Sequence, residues 1–380
     1  MEFALSPEQE MFRKSARAFA LEELEPIAER LDKNHEFPIE ALKKLGKLGY
    51  LGMTVPEDYG GSGADVVSYA IVMEELSRSC ASTSTAVSVQ NSLCNNLIVS
   101  FANEAQKKKY LPALAAGAKI GAFALTEPES GSDAGSLKTS AVAKGDSFLL
   151  NGTKRFITNA AFADIFLVFT ATDPKAGNKG VTCFLVEKGT KGFTVGKEED
   201  KMGIHGTSTC ELFFENCVLP QENIIGELNR GFRVAMVTLD AGRIGIAAQA
   251  LGIAQAALDE ALKYSRERKT FGKPISEHQA IQFMLADMRV KVEAARLLVY
   301  RSAWKKDAGL DYVADSSIAK LYASEIASEV ADMAVQIHGG YGFIRDYKVE
   351  RLYRDARITR LYEGTSEIQK LIISRDMLKA

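Results

Sequence analysis

Apolar residues change their spacing twice along this chain, and the changes divide it into three parts. Up to about residue 120 the period is helical. Ser6-Pro7-Glu8-Gln9 joins an N-cap, a proline at the first helical position and a Gln at the third, and Phe12, Ala16 and Phe19 follow on one face. Asp65 precedes Val66, Tyr69, Ala70, Met73 and Leu76 at the same period, and a further helix is expected from Ala81 to Phe101. The polar residues of that last helix, Ser88, Gln90, Asn91 and Ser92, read either as an exposed face or as the lining of a pocket. Tyr59-Gly60-Gly61-Ser62-Gly63 has neither the Lys of a phosphate loop nor a strand before it, so it reads as a plain loop.

From Gly121 to about Glu227 the helical period disappears. Turns are expected at Lys144-Gly145-Asp146, Asn151-Gly152, Asp173 to Gly177 and Gly189 to Gly192. Between them lie β-branched and aromatic runs at Phe148 to Leu150, Phe156 to Thr158, Ile165 to Thr170, Val181 to Val186 and Cys210 to Phe214. From about Gly231 the helical period returns, and Ile281, Leu285, Met288, Val292, Ala295 and Val299 mark the seam of a long helix. Helices are expected near 230–265, 276–306, 312–338 and 366–378. The pattern predicts an α+β chain, mostly α: an N-terminal helical domain over 1–120, a middle antiparallel β-barrel or sandwich over 121–228, and a C-terminal four-helix bundle over 229–380.

Charge narrows the function classes. With 47 basic and 49 acidic residues the net charge is -2, and no long single-sign run suggests nucleic acid or an anionic membrane. Lys107 to Lys109 read as a solvated helix face. No apolar run suits a membrane span and the chain opens on Met1-Glu2-Phe3, which leads us to expect a cytoplasmic protein, with a processed mitochondrial matrix form as the alternative. Five scattered cysteines without a C-x-x-C pair suggest reduced thiols, and four dispersed histidines suggest no metal site.

Four stretches are candidates for chemistry. His338-Gly339-Gly340-Tyr341-Gly342 follows a helix, which excludes a Rossmann dinucleotide site; it reads as a helix C-cap, or as bare backbone against a phosphate or adenine. Phe123-Ala124-Leu125-Thr126-Glu127-Pro128-Glu129-Ser130-Gly131-Ser132-Asp133 passes from a strand into hydroxyls and carboxylates that suit a polar ring edge, or an ordinary turn. Phe156-Ile157-Thr158-Asn159 alternates ring and hydroxyl, with a core aromatic as the plain explanation. In Leu361-Tyr362-Glu363-Gly364-Thr365-Ser366-Glu367-Ile368-Gln369, Ser366 and Gln369 read as a capping box, which sets Glu363 just before a helix. Glu363 is then either a charge on the helix dipole or a base aimed into a cleft.

FALTEPESGSD, KRFITNA, DKMGIHGTS, LDAGRIGIAAQALGIAQ, RERKTFGKPISEHQAIQFMLADM, AVQIHGGYGF and RDARITRLYEGTSEIQ, in this order over essentially the whole chain, resemble the acyl-CoA dehydrogenases, most of all the short-chain, butyryl-CoA type. The resemblance implies FAD bound between domains and across a subunit interface of a homotetramer. Phe123, Leu125, Thr126 and Ser132 would contact the flavin, Phe156 and Thr158 would flank its ring, and Thr365 and Glu367 would lie beside it. Many relatives have Trp where this chain has Phe156, which keeps a stacking face but has no indole N–H. Arg268, Phe271, Gln279, Gln336, Gly339 and Gly340 would reach a neighbouring subunit's FAD. Asp240 and Arg243, with Ser132 and Gly364, would hold the acyl-CoA. Glu363 would take the α-proton while the β-hydride passes to flavin N5, the N–H of Glu363 and a ribityl hydroxyl would bind the thioester oxygen, and electrons would go to an electron-transfer flavoprotein. Three alternatives remain open: a branched, cyclic or aromatic acyl-CoA, an acyl-CoA oxidase, and a non-catalytic CoA-binding scaffold.

Overall fold

The computed structural model describes residues 4–379. Its first part is helical: α1 (Pro7–Phe19), α2 (Glu25–Asn34), α3 (Ile39–Lys47), α4 (Val66–Ser79), α5 (Ala81–Ser88), α6 (Asn96–Phe101) and α7 (Glu104–Ala115). The Ser6 hydroxyl accepts from the Gln9 N–H and the Gln9 side chain accepts from the Ser6 N–H, so α1 starts with a full capping box. Asp65 caps α4 by accepting from the Ser68 N–H at 2.6 Å.

Between α5 and α6 the chain winds as a π-helix over Val89–Asn95, a form frequent at functional sites. Its polar residues are neither of the two things expected of them. Gln90 donates to the carbonyls of Leu114 and Lys119 and accepts from the Gly121 N–H. Asn91 accepts from the Met53 N–H and donates to the Tyr50 carbonyl. Loops entering the core leave backbone groups without partners, and a buried amide supplies both donor and acceptor.

The middle part is one sheet of β1 (Gly121–Ala124), β2 (Ser140–Lys144), β3 (Ser147–Thr158), β4 (Ile165–Ala171), β5 (Val181–Glu187), β6 (Phe193–Glu198), β7 (Thr209–Pro220) and β8 (Ile224–Ile225). The order is β6-β7-β3-β2-β4-β5-β8, with β1 added parallel to β4. Asn151-Gly152, expected as a turn, lies inside β3. There the β3–β7 register shifts between Leu150 and Gly152, and a Cβ on Gly152 would come 2.6 Å from the Thr139 Cα. Close strand approach at a bulge, and not chain reversal, is what requires this glycine.

The last part holds α8 (Gly231–Glu267), a small hairpin of β9 (Lys269–Thr270) and β10 (Lys273–Pro274), α9 (Gln279–Asp307), α10 (Val313–His338), α11 (Lys348–Ala356) and α12 (Ser366–Met377). α10 packs on α8, α9, α11 and α12. The α9 seam is as expected, with Met288, Val292, Ala295 and Val299 fully buried. Among the described residues α8 is the one helix long and apolar enough to cross a membrane, and it runs through the core with Ile244, Ala247, Leu251 and Ala254 fully buried. The cap of α12 is not the expected Ser366 box. Thr365 is the N-cap, Ser366 bonds Glu325 on α10, and the Gln369 amide turns back to the carbonyl of Gly364 at 2.8 Å.

Candidate active site

All three parts of the chain meet around a cavity of about 200 Å³. α5 and the π-helical turn supply Thr85, Val89 and Leu93; β1 supplies Phe123 and the loop after it Leu125, Thr126 and Ser132; β3 supplies Phe156 and Thr158. α8 adds Met236, Leu239, Arg243 and Ile246, and the turn before α12 adds Tyr362, Glu363 and Gly364.

The loop and β3 are locked together. Lys154, fully buried, donates to Glu127 at 2.6 Å and to the Leu125 carbonyl at 3.0 Å, while the Arg155 N–H reaches the Thr126 carbonyl at 2.9 Å. Glu127 also accepts from the Thr139 N–H at 3.1 Å. Burial pushes the Lys154 ammonium down to about 8, against the pull of Glu127. Directly after this lock β3 shifts register between Lys154 and Ile157, and Phe156 takes φ 58° with 57% of its surface exposed. A core aromatic is therefore excluded; the bulge turns this ring outward.

Glu363 stands in the left-handed region at φ 51°, followed by Gly364 at φ 94°. The residue is half-buried, yet its Oε2 is buried and has no hydrogen-bond partner among the described residues. Burial pushes its carboxyl up to about 7, and the charges of Lys320 and Arg243 act against that rise. Space for the carboxylate is made on α8: a Cβ on Gly242 would lie 2.1 Å from Glu363 Oε2. The neighbouring Tyr362 hydroxyl bonds Gln249, whose amide donates to Thr85 at 2.7 Å. The N–H of Glu363 reaches no backbone carbonyl among the described residues. A dry carboxylate of this kind takes a proton from a bound carbon acid more readily than one in water.

The other expected residues divide. Phe123, Leu125, Thr126, Ser132, Phe156, Thr158, Arg243 and Gly364 line the cavity with Glu363. Asp240 joins it only through Arg243, which it pairs with, and whose Nε is buried without a partner. Arg268, Gly339 and Gly340 line a second cleft of about 490 Å³ with Tyr264, His338 and Tyr341. Phe271 is 96% exposed at the β9–β10 turn, and Gln279, Gln336 and Glu367 are exposed on α9, α10 and α12. Thr365 serves as the cap. Sequence reasoning missed Gly242, Gln249, the Glu127–Lys154 pair and Lys320. Lys320 had a signal: it falls on the small and apolar stripe of Ser316, Ala319, Ala323 and Ala327, where a solvated lysine has no place.

Fold and cavity define the class, a three-part α–β–α enzyme with a buried carboxylate where the parts meet. The chain belongs to the acyl-CoA dehydrogenase family, whose N-terminal, middle and C-terminal domain models match residues 6–118, 122–217 and 229–378. It is 51% identical to the short-chain specific acyl-CoA dehydrogenase of Clostridium acetobutylicum over 374 residues, 98% of this chain and 99% of that one. The butyryl-CoA dehydrogenase structure from Megasphaera elsdenii superposes at TM-score 0.98 with 48% identity and full coverage of both chains. A chain in a structure of the electron transferring flavoprotein of Acidaminococcus fermentans superposes at TM-score 0.99, again with 48% identity and full coverage of both.

Proposed function

We propose that this protein is an FAD-dependent dehydrogenase that converts a short-chain acyl-CoA to its trans-2-enoyl-CoA, with Glu363 as base and an electron-transfer flavoprotein as acceptor. The observation that carries the reading is the buried, unpartnered Oε2 of Glu363 in a cavity shared by all three parts.

The residues present fit the cofactor. The exposed ring of Phe156 offers a face to a planar ring system, and Thr126, Ser132 and Thr158 bring hydroxyls to its edge. In the second cleft Arg268 and the bare backbone of Gly339-Gly340 suit a diphosphate. With Phe271, Gln279 and Gln336 each exposed, that cleft is read as the part of the site offered to a neighbouring subunit. Thr365 and Glu367, at the start of α12, are read as lying beside the flavin. FAD, when bound, supplies the acceptor for the hydride that leaves the β-carbon.

The α C–H of a saturated thioester is a weak acid, so the site must hold the carbonyl oxygen as its charge grows while a base takes the proton. The free N–H of Glu363 is the donor for that oxygen and its carboxylate is the base; Gly364 leaves the backbone open to the thioester. Arg243, steadied by Asp240, and Ser132 line the side along which CoA enters. A small cavity with Thr85 and Tyr362 tied to Gln249 supports a short acyl chain, as do the short-chain and butyryl-CoA relatives.

The assembly is read as a homotetramer. Phe283, Val290, Leu297 and Trp304 recur once per two turns on α9, each more than half exposed, and such an apolar stripe needs a helical partner. The compartment is read as the cytoplasm, where five free, buried cysteines stay reduced.

Butyryl-CoA added anaerobically to the purified holoprotein should bleach the flavin, and in air-saturated buffer an electron-transfer flavoprotein should collect the electrons without stoichiometric peroxide. Peroxide in step with turnover would make it an oxidase. A kcat/KM higher for branched, cyclic or aromatic acyl-CoAs than for butyryl-CoA would refute the short-chain assignment, and a protein that stays colourless with added FAD would leave only the scaffold.

A further inference from the structure

We infer that Lys320 is a positioning residue for the base: from α10 its ammonium holds the carbonyl of Gly364 and faces the carboxylate of Glu363, so that one buried cation fixes both where the base lies and at what pH it works. The inference rests on the reading of Glu363 as the base.

Lys320 is fully buried, and its Nζ donates to the Gly364 carbonyl at 2.7 Å. A buried cation without a carboxylate bonded to it is costly, and such groups are kept where they act on something nearby. Here the nearby group is Glu363. The turn that carries Glu363 has positive φ at two successive residues, and its Gly364 carbonyl is held twice, by Lys320 and by the Gln369 amide at 2.8 Å. Losing either donor frees a strained segment that aims the carboxylate.

Charge separates Lys320 from its surroundings. Glu363 is faced by Lys320 from α10, by Arg243 from α8 and by the Tyr69 phenol from α4. Arg243 is already paired with Asp240. Lys320 is itself faced by Glu363, Arg243, Glu325 and Glu367. Glu325 is taken up by Arg360 at 2.7 Å and by Ser366 at 2.6 Å, and Glu367 is exposed on α12. That leaves the carboxylate of Glu363 as the counter-charge of Lys320. Burial lowers the lysine to about 8, so it still carries its proton near neutrality, while burial raises Glu363 to about 7. Removing the cation takes away a charge that favours ionised Glu363, so a higher pH is needed to form the base.

The test follows flavin reduction by butyryl-CoA in the holoenzyme against pH, by stopped flow, in the wild type and in Lys320→Met, Lys320→Gln and Gln369→Leu. Lys320→Met should move the acid limb alkaline by about one pH unit, a reaction about 5-fold slower at pH 7 and approaching about 10-fold slower below it, and should also lower the plateau. Lys320→Gln keeps a donor for Gly364 without the charge; it should move the limb while sparing more of the plateau, and it carries the test if Lys320→Met does not fold. Gln369→Leu loosens the same carbonyl at constant charge and should lower the plateau with the limb in place. An unmoved limb in both lysine variants overturns the inference, as does a limb that moves equally in Gln369→Leu. If Glu363→Gln abolishes reduction while the limbs stay fixed, only the role of Lys320 falls; if Glu363→Gln still reduces flavin, the base is elsewhere and both readings fall.

Discussion

Glu363 is an ordinary residue type in an unusual place. Burial, complete at its Oε2, moves its carboxyl up to about 7. Only the ionised form can take a proton, so the rate of flavin reduction should fall about tenfold per pH unit below that value. Gly242 matters as much as the base, because any side chain there would overlap Oε2. Gly242→Ala should drive the carboxylate aside by an ångström or more and slow flavin reduction about 100-fold, with FAD content and Tm near wild type. A wild-type rate in that variant would show that the carboxylate works from another position. The motif around Glu363 was legible in sequence, and so was its tight, glycine-hinged turn. Its dryness was not, since Gly242, Lys320 and Leu93 come from other helices, and Lys320 is 44 positions away from the carbonyl it holds.

At the level of elements, the period of 3.6 marked α1, α4 and the long seam of α9, because burial on one face of a helix leaves a direct trace in spacing, while β-branched and aromatic runs marked β4, β5 and parts of β3 and β7. Irregularities left none. Asn151-Gly152 has turn chemistry but serves as a bulge, and Phe156 looks like a strand-core aromatic but is turned outward by a second register shift in the same strand. α11 is another omission; it is short, and its Arg354 is tied to Asp32 of α2 at 2.7 Å instead of standing in water. The element that sets the ring face is β3, and its anchor is the Lys154–Glu127 pair, with both side chains buried. Lys154→Met should leave Glu127 charged and unpaired, destabilising the protein by about 3–5 kcal/mol in denaturant unfolding. A loss below about 1 kcal/mol would mean that water reaches Glu127 and that the loop of Thr126 and Ser132 is held by its backbone alone.

On the scale of the whole molecule, no single part contains the site. The helical parts supply walls and a buried carboxylate, the sheet supplies an exposed aromatic ring and hydroxyls, and the second cleft lies among residues of α8, the β9–β10 hairpin and the end of α10. This explains why composition revealed so little of the chemistry, while the order of separate motifs along the chain revealed much more. A division of labour between parts also makes the base separable from binding. In Glu363→Gln the carboxamide keeps the shape of the side chain and removes its basicity, leaving the surfaces for FAD and acyl-CoA in place. Anaerobic stopped-flow mixing of that holoenzyme with butyryl-CoA is the most direct measurement: ligand binding should perturb the flavin spectrum as in the wild type, while bleaching should be slowed by at least about a thousandfold. Bleaching at near the wild-type rate would contradict the assignment of Glu363 as the base.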